Sequence, residues 1–204
     1  YICGVRRDTT TNGQGRMELC EIELNDFDAK EISRFRIPCP GVGTDVHAGS
    51  YCEKNWMPII DKPYHFVKWC NPVEIVKADP VTRTCSTAFM SNKAKLASEQ
   101  RGGSQLIPIE DGYLCITHEV VFYYGYRNEN NKKDATYRHR ILKFNKDLEI
   151  VCCSDLFSFM NAEIEFWPVV LQYHGRIIED NYSAVNSLLR LKAVDKEKSQ
   201  VELD

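Results

Sequence analysis

Apolar and polar positions along the chain fall into short runs rather than helical stripes. The runs are "YICGVRR", "RMELCEIEL" and "EISRFRIP", then "NWMPII", "YHFVKWC" and "VEIVKAD". They continue with "SQLIPI", "GYLCITHEVVFYY", "YRHRILKF" and "LEIVCCS", and close with "IEFWPVVLQY", "GRIIEDNY" and "SLLRLKAVD". Most are short and rich in Val, Ile, Tyr, Phe and Cys. Turn-formers such as "TTTNGQG", "DKP", "EDG", "NKD" and "YHG" separate them. That pattern predicts β-strands in an all-β protein. Only "SNKAKLASEQ" reads as a helical turn.

The runs also repeat. A Pro-led run comes first in each unit, at Pro58, Pro108 and Pro168. A turn and a second strand follow it. Third strands are "VEIVKAD", "RHRILKFN" and "LLRLKAVD", each ending on an Asp or Asn suited to start a turn. "RMELCEIELN" fits a third strand whose earlier partners lie partly upstream. Units of about 45–60 residues with three or four antiparallel strands suggest propeller blades, because one small sheet cannot bury both faces alone. Residues 1–204 then form a single β-propeller domain or a fragment of one, with about three blades and part of a fourth. A closed ring typically needs four to eight. A β-sandwich is the competing architecture, since it also uses many short strands.

Composition narrows the partners. The chain has 204 residues, 43% hydrophobic and 11% aromatic, enough for a substantial core. Its net charge of -3 gives no cationic field for nucleic acid. No apolar run approaches the roughly 20 residues of a membrane span. Nine cysteines lie scattered, several inside apolar runs, with no C-x-x-C pair. They read as reduced thiols. With no visible signal peptide, they favour a cytoplasmic location. Cys39, His47 and Cys52 can be combined into a metal site on paper only, so no metal and no cofactor is expected.

Several of these segments carry a resemblance. "EKNWMP", "RGGSQLIP", "DGYLCITHE", "YRHRILKFNKDLEIVCCSDLF" and "IEFWPVVL" resemble the five-bladed β-propellers of carbohydrate-active enzymes. That clan includes furanosidase-type glycoside hydrolases and mannoside phosphorylases. The similarity runs from about Glu53 to Val194 and is sharpest at "EKNW" and "RGGSQ". It implies a central funnel with acidic residues on the innermost strands and sugar bound at the axis. The aspartate that serves early in such hydrolases as base or nucleophile has no match, which leaves room for its lying upstream of Tyr1.

Glycosidic-bond chemistry needs a proton donor, and a base, nucleophile or phosphate opposite it. Glu53 and Glu165 are the candidate catalytic acids. Strand alternation puts Glu163 on the same face as Glu165, where it can bind sugar hydroxyls. Lys54 and Asn55 are candidate hydrogen-bonding groups, and Trp56 offers a stacking face or a core side chain. In "RGGS", Arg101 suits a carboxylate or phosphate, and Ser104 belongs to the same candidate site. Gly102 and Gly103 let the backbone approach a ligand or form a tight turn. His118 ends its strand and joins the substrate-binding set. Convergence of Lys54, Arg101 and His118 would make a cationic pocket, suited to phosphate or a sugar-phosphate donor beside the carbohydrate. The expected function is a hydrolase, phosphorylase or glycosyl transferase at the funnel. The alternative is a non-catalytic propeller that binds glycan or protein.

Overall fold

The computed structural model describes residues 1–7, 13–26, 28–38, 52–93, 96–124, 133–161, 167–173, 176–182, 191–192 and 202–203. All its sheets are antiparallel, and none is closed or curled. Among the described residues there is no α-helix, only one 3-10 turn at Phe159–Asn161, and no helix long and apolar enough to cross a membrane.

Three strands form the first sheet: β1 (Ile2–Arg6), β2 (Arg16–Leu24) and β3 (Ala29–Arg36), in that order. The second sheet is β4 (Met57–Pro58), β5 (His65–Cys70), β6 (Val73–Asp79) and β7 (Thr84–Met90), again in chain order. In the third, β8 (Arg101–Gly102) and β9 (Ile107–Ile109) both pair with β10 (Gly112–Tyr124), followed by β11 (Lys133–Asn145) and β12 (Ile150–Cys153). Beyond these, β13 (Trp167–Tyr173) pairs with β14 (Arg176–Tyr182), and β15 (Leu191–Lys192) with β16 (Glu202–Leu203).

Alternation explains how the second sheet is buried. Val67 and Ile75 point to one face and pack with Leu106, just ahead of β9, and with Cys115, Leu142 and Phe144 of the third sheet. Phe66, Val76 and Ala78 point to the other and pack with Met17 and Leu19 of the first, together with Trp56. The sheet is thus covered on both sides by its neighbours in sequence. Each such Val, Ile, Leu or Phe contributes roughly 1.5–3 kcal/mol by leaving water.

Two of the expected third strands end in turns made by their last residue, and the end of "LLRLKAVD" lies outside the described residues. Asp79 accepts hydrogen bonds from the amides of Val81 (2.8 Å) and Thr82 (3.1 Å), which hold its carboxyl below the usual range. Asn145 accepts from the Glu149 amide at 2.9 Å. The turn β9–β10 needs Gly112. A Cβ there would lie 1.9 Å from the Phe144 carbonyl oxygen, at a φ of 154°.

Two expectations change. The described part of "SNKAKLASEQ" is not helical. Asn71 binds the backbone of Leu96 on both sides, donating to its carbonyl (2.9 Å) and accepting from its amide (3.2 Å), as a pairing strand would. The strand β7 escapes the apolar pattern because it is largely exposed and built from small and polar residues.

Replacing Gly112 with Ala is expected to lower unfolding free energy by roughly 2–4 kcal/mol, since backbone rather than a movable side chain blocks the Cβ. Urea unfolding monitored by circular dichroism checks this. An unchanged midpoint would show that the turn has another conformation open to it.

Candidate functional site

The site begins with a backbone contact between two Pro-led segments. Leu106 donates its amide to the Pro58 carbonyl (2.8 Å), and the Ile60 amide donates to Leu106 (3.1 Å). Ile59 and Leu106 form a parallel bridge. The residues that precede each proline are therefore brought to one end of the pair. There, Cys52, Glu53, Lys54, Asn55 and Arg101 line a pocket of about 150 Å³ with Lys68 and Trp69.

Glu53 lies at the base of this pocket and is 4% exposed. Its amide donates to Gly15 at 2.8 Å, tying it to the first sheet. The Trp56 indole donates to its Oε2 at 2.6 Å, and Lys68 Nζ is 3.6 Å from its Oε1. Lys68 is also 3.2 Å from Glu74. This is a buried ion cluster, in which removing any one charge leaves the others uncompensated.

Trp56 does not present a stacking face. It is buried, packs in the core beside Phe66 with ring centres 6.1 Å apart, and serves Glu53 as a donor. The aromatic face at the pocket belongs instead to Trp69, which is 39% exposed. Lys68 is the extra residue of a β-bulge, where Val67 pairs with Ile75 but Trp69 with Glu74. The bulge breaks the two-residue alternation, so Lys68 and Trp69 can reach the same pocket.

Arg101 has an exposed neighbour, Glu99, at 3.8 Å, a pair worth little in solvent. Its partner in the strand register is His118. The glycines of "RGGS" serve close packing of backbone. A Cβ on Gly102 would sit 2.0 Å from the Asn55 carbonyl oxygen. Ser104 bridges the gap between β8 and β9: its hydroxyl accepts from the Ile116 amide at 2.8 Å and donates to Gln105 at 2.9 Å. That is a structural role away from the pocket lining, which explains its place in the motif.

His118 is 1% exposed and lies behind Arg101, next to His139 with ring centres 6.2 Å apart. Burial first, then His139, Arg101 and Lys54, lower its pKa from 6.5 to about 4. It is a neutral imidazole at physiological pH, backing the pocket without lining it. Glu119, the next residue, accepts from Ser98 (2.7 Å) and Gln100 (3.1 Å).

Glu163 and Glu165 lie outside the described residues, as do Cys39 and His47. Among the described residues no group of His, Cys, Asp or Glu is placed to hold a metal ion, and none of the described cysteines is in a disulfide. No family model, curated protein or solved structure matches the chain.

What the pocket offers is three cations, Lys54, Lys68 and Arg101, around one committed carboxylate, with an amide and an aromatic face beside them. It can orient a small polar ligand and favours one carrying negative charge.

The histidine gives a pH prediction. Between pH 6.5 and about 4 the unfolded chain binds the His118 proton more readily than the folded one, so stability falls as pH drops through that window. The loss from pH 7 to pH 5 should be about 2 kcal/mol. His118→Gln should flatten this part of the profile in urea titrations, whatever its stability at pH 7. Identical slopes in the two proteins would contradict the assignment.

Proposed function

We propose that this protein acts on glycosidic bonds, as a hydrolase, phosphorylase or glycosyl transferase, at a pocket between blades of a β-propeller. One observation carries the reading. Glu53, Lys54, Asn55 and Arg101, from segments nearly fifty positions apart, line one pocket because their Pro-led strands run parallel.

The architecture supports it. In both the second and the third sheet a short strand carrying a proline, β4 or β9, pairs with the next strand of an antiparallel meander. The second is packed between the first and the third. Such packing is how blades bury their faces around an axis. The pocket is smaller than the roughly 300 Å³ lower limit of drug-sized sites, so it suits a single sugar unit. Its cations suit phosphate or a sugar-phosphate donor.

Within this reading Glu53 orients more than it transfers protons, because both its oxygens already carry partners. Glu165 is then the acid, with Glu163 beside it as a sugar-binding group. A non-catalytic glycan-binding role is the second reading. It is favoured by the pocket lining, where Glu53 is the sole carboxylate among the described residues.

Product analysis on a panel of glycosides, with and without inorganic phosphate, tests the proposal. Turnover of at least one glycoside is expected. Arg101→Gln and Glu165→Gln should each lower it about tenfold or more, the scale of losing an oriented charge in a catalytic site. Binding without turnover of any panel member would move the protein to the second reading. Full turnover in Glu165→Gln would remove that residue from the mechanism.

A further inference from the structure

The charges at the pocket are unevenly partnered. Lys68 lies between Glu53 and Glu74, and all three side chains are largely buried. Lys54 lines the same pocket and makes no ion pair among the described residues. Arg101 pairs with Glu99 at 3.8 Å, but that carboxylate is 63% exposed, where solvent and salt screen the attraction.

Lys54 and Arg101 also act at one place. Their chain segments are in backbone contact, since the Asn55 carbonyl oxygen lies against Gly102. His118, behind Arg101, feels both cations: after burial and His139, the fields of Arg101 and Lys54 depress its pKa. Two guanidinium or ammonium groups with little local compensation thus converge on one concave site of about 150 Å³.

The charge balance says what fits there. Lys54, Lys68 and Arg101 bring three positive charges, and Glu53 and Glu74 two negative ones. One positive charge is left over. A singly charged anion cancels it, whereas a phosphate monoester, at about −1.5 to −2 near neutral pH, overshoots. The planar fork of Arg101 can bind a carboxylate through two parallel hydrogen bonds, and Lys54 adds a point charge beside it. Room for a single sugar unit puts that carboxylate on the sugar itself rather than on a second molecule.

We infer that Lys54 and Arg101 form a subsite for the carboxylate of a hexuronosyl unit, so that the ligand of this pocket is an acidic glycan. The inference rests on the glycan reading above and names its substrate class.

Calorimetry tests it with matched probes in the gluco, galacto and manno series. Each series comprises the methyl hexuronide, its uncharged methyl ester, the methyl hexopyranoside and the hexose 1-phosphate. The wild type should bind at least one hexuronide about tenfold or more tighter than its ester and its hexopyranoside, the scale of one charge-assisted hydrogen bond. Lys54→Met and Arg101→Gln should each remove most of that preference. Arg101→Lys, which keeps the charge without the fork, should retain part of it, and Lys54→Arg should retain it.

A hexuronide bound no tighter than its ester overturns the subsite. So does a hexose 1-phosphate bound tighter than the hexuronide, or an unchanged preference in both Lys54→Met and Arg101→Gln. In each of these cases the binding of a sugar leaves the glycan reading standing. If no probe binds, the subsite falls, and product analysis on the glycoside panel decides the glycan reading separately. A thermal melt accompanies each variant. Where one fails to melt cooperatively, the wild-type comparison of acid with ester carries the test alone.

Discussion

The structure depends on two backbone hydrogen bonds made by one residue. Leu106 donates to Pro58 and accepts from Ile60. Through it the second and third sheets are joined beside their short strands β4 and β9, by the one parallel contact among the described residues. Leu106 is wholly buried, and its side chain packs with Met57, Ile59 and Val67. The contact is consequently made in a dry place, where unmade backbone groups are expensive. It also sets what lies at the ends of the strands. Residues 53–55 and 101–102 have little freedom to be anywhere except beside one another.

The prolines suit this arrangement. Pro58 and Pro108 cannot donate to a ladder, and each lies in a strand of only two or three residues. Their carbonyls remain usable, and that of Pro58 is the acceptor in the joining contact. The close approach then demands glycine at position 102. A buried ion cluster at Glu53, Lys68 and Glu74 sits directly behind. Such clusters add little net stability compared with apolar packing. Their retention beside a pocket fits a role in orienting charge.

Much of the strand order was legible in the chain. Alternation in "VEIVKAD" marked β6, the terminal Asp79 and Asn145 marked turns, and Pro58 and Pro108 marked short strands at the start of a meander. The convergence of Glu53 and Arg101 was legible too, because repeats imply equivalent positions. The roles of Trp56 and Trp69 were not. Burial assigns the first to the core, and a one-residue bulge turns the second to the pocket. A bulge leaves no mark in the hydrophobic pattern, which assumes an unbroken period of two. The function of Ser104 was hidden for a similar reason, since the break between β8 and β9 that it bridges depends on pairing with β10.

Amide hydrogen exchange resolved at Leu106 and Ile60 tests the central contact most directly. Both amides should exchange as slowly as that of Ile75 in the middle of the second sheet, opening only when the protein unfolds globally. Rapid exchange at Leu106 and Ile60 while Ile75 stays protected would mean that the sheets are not joined at their Pro-led strands. The pocket shared by Glu53 and Arg101 would then lose its basis.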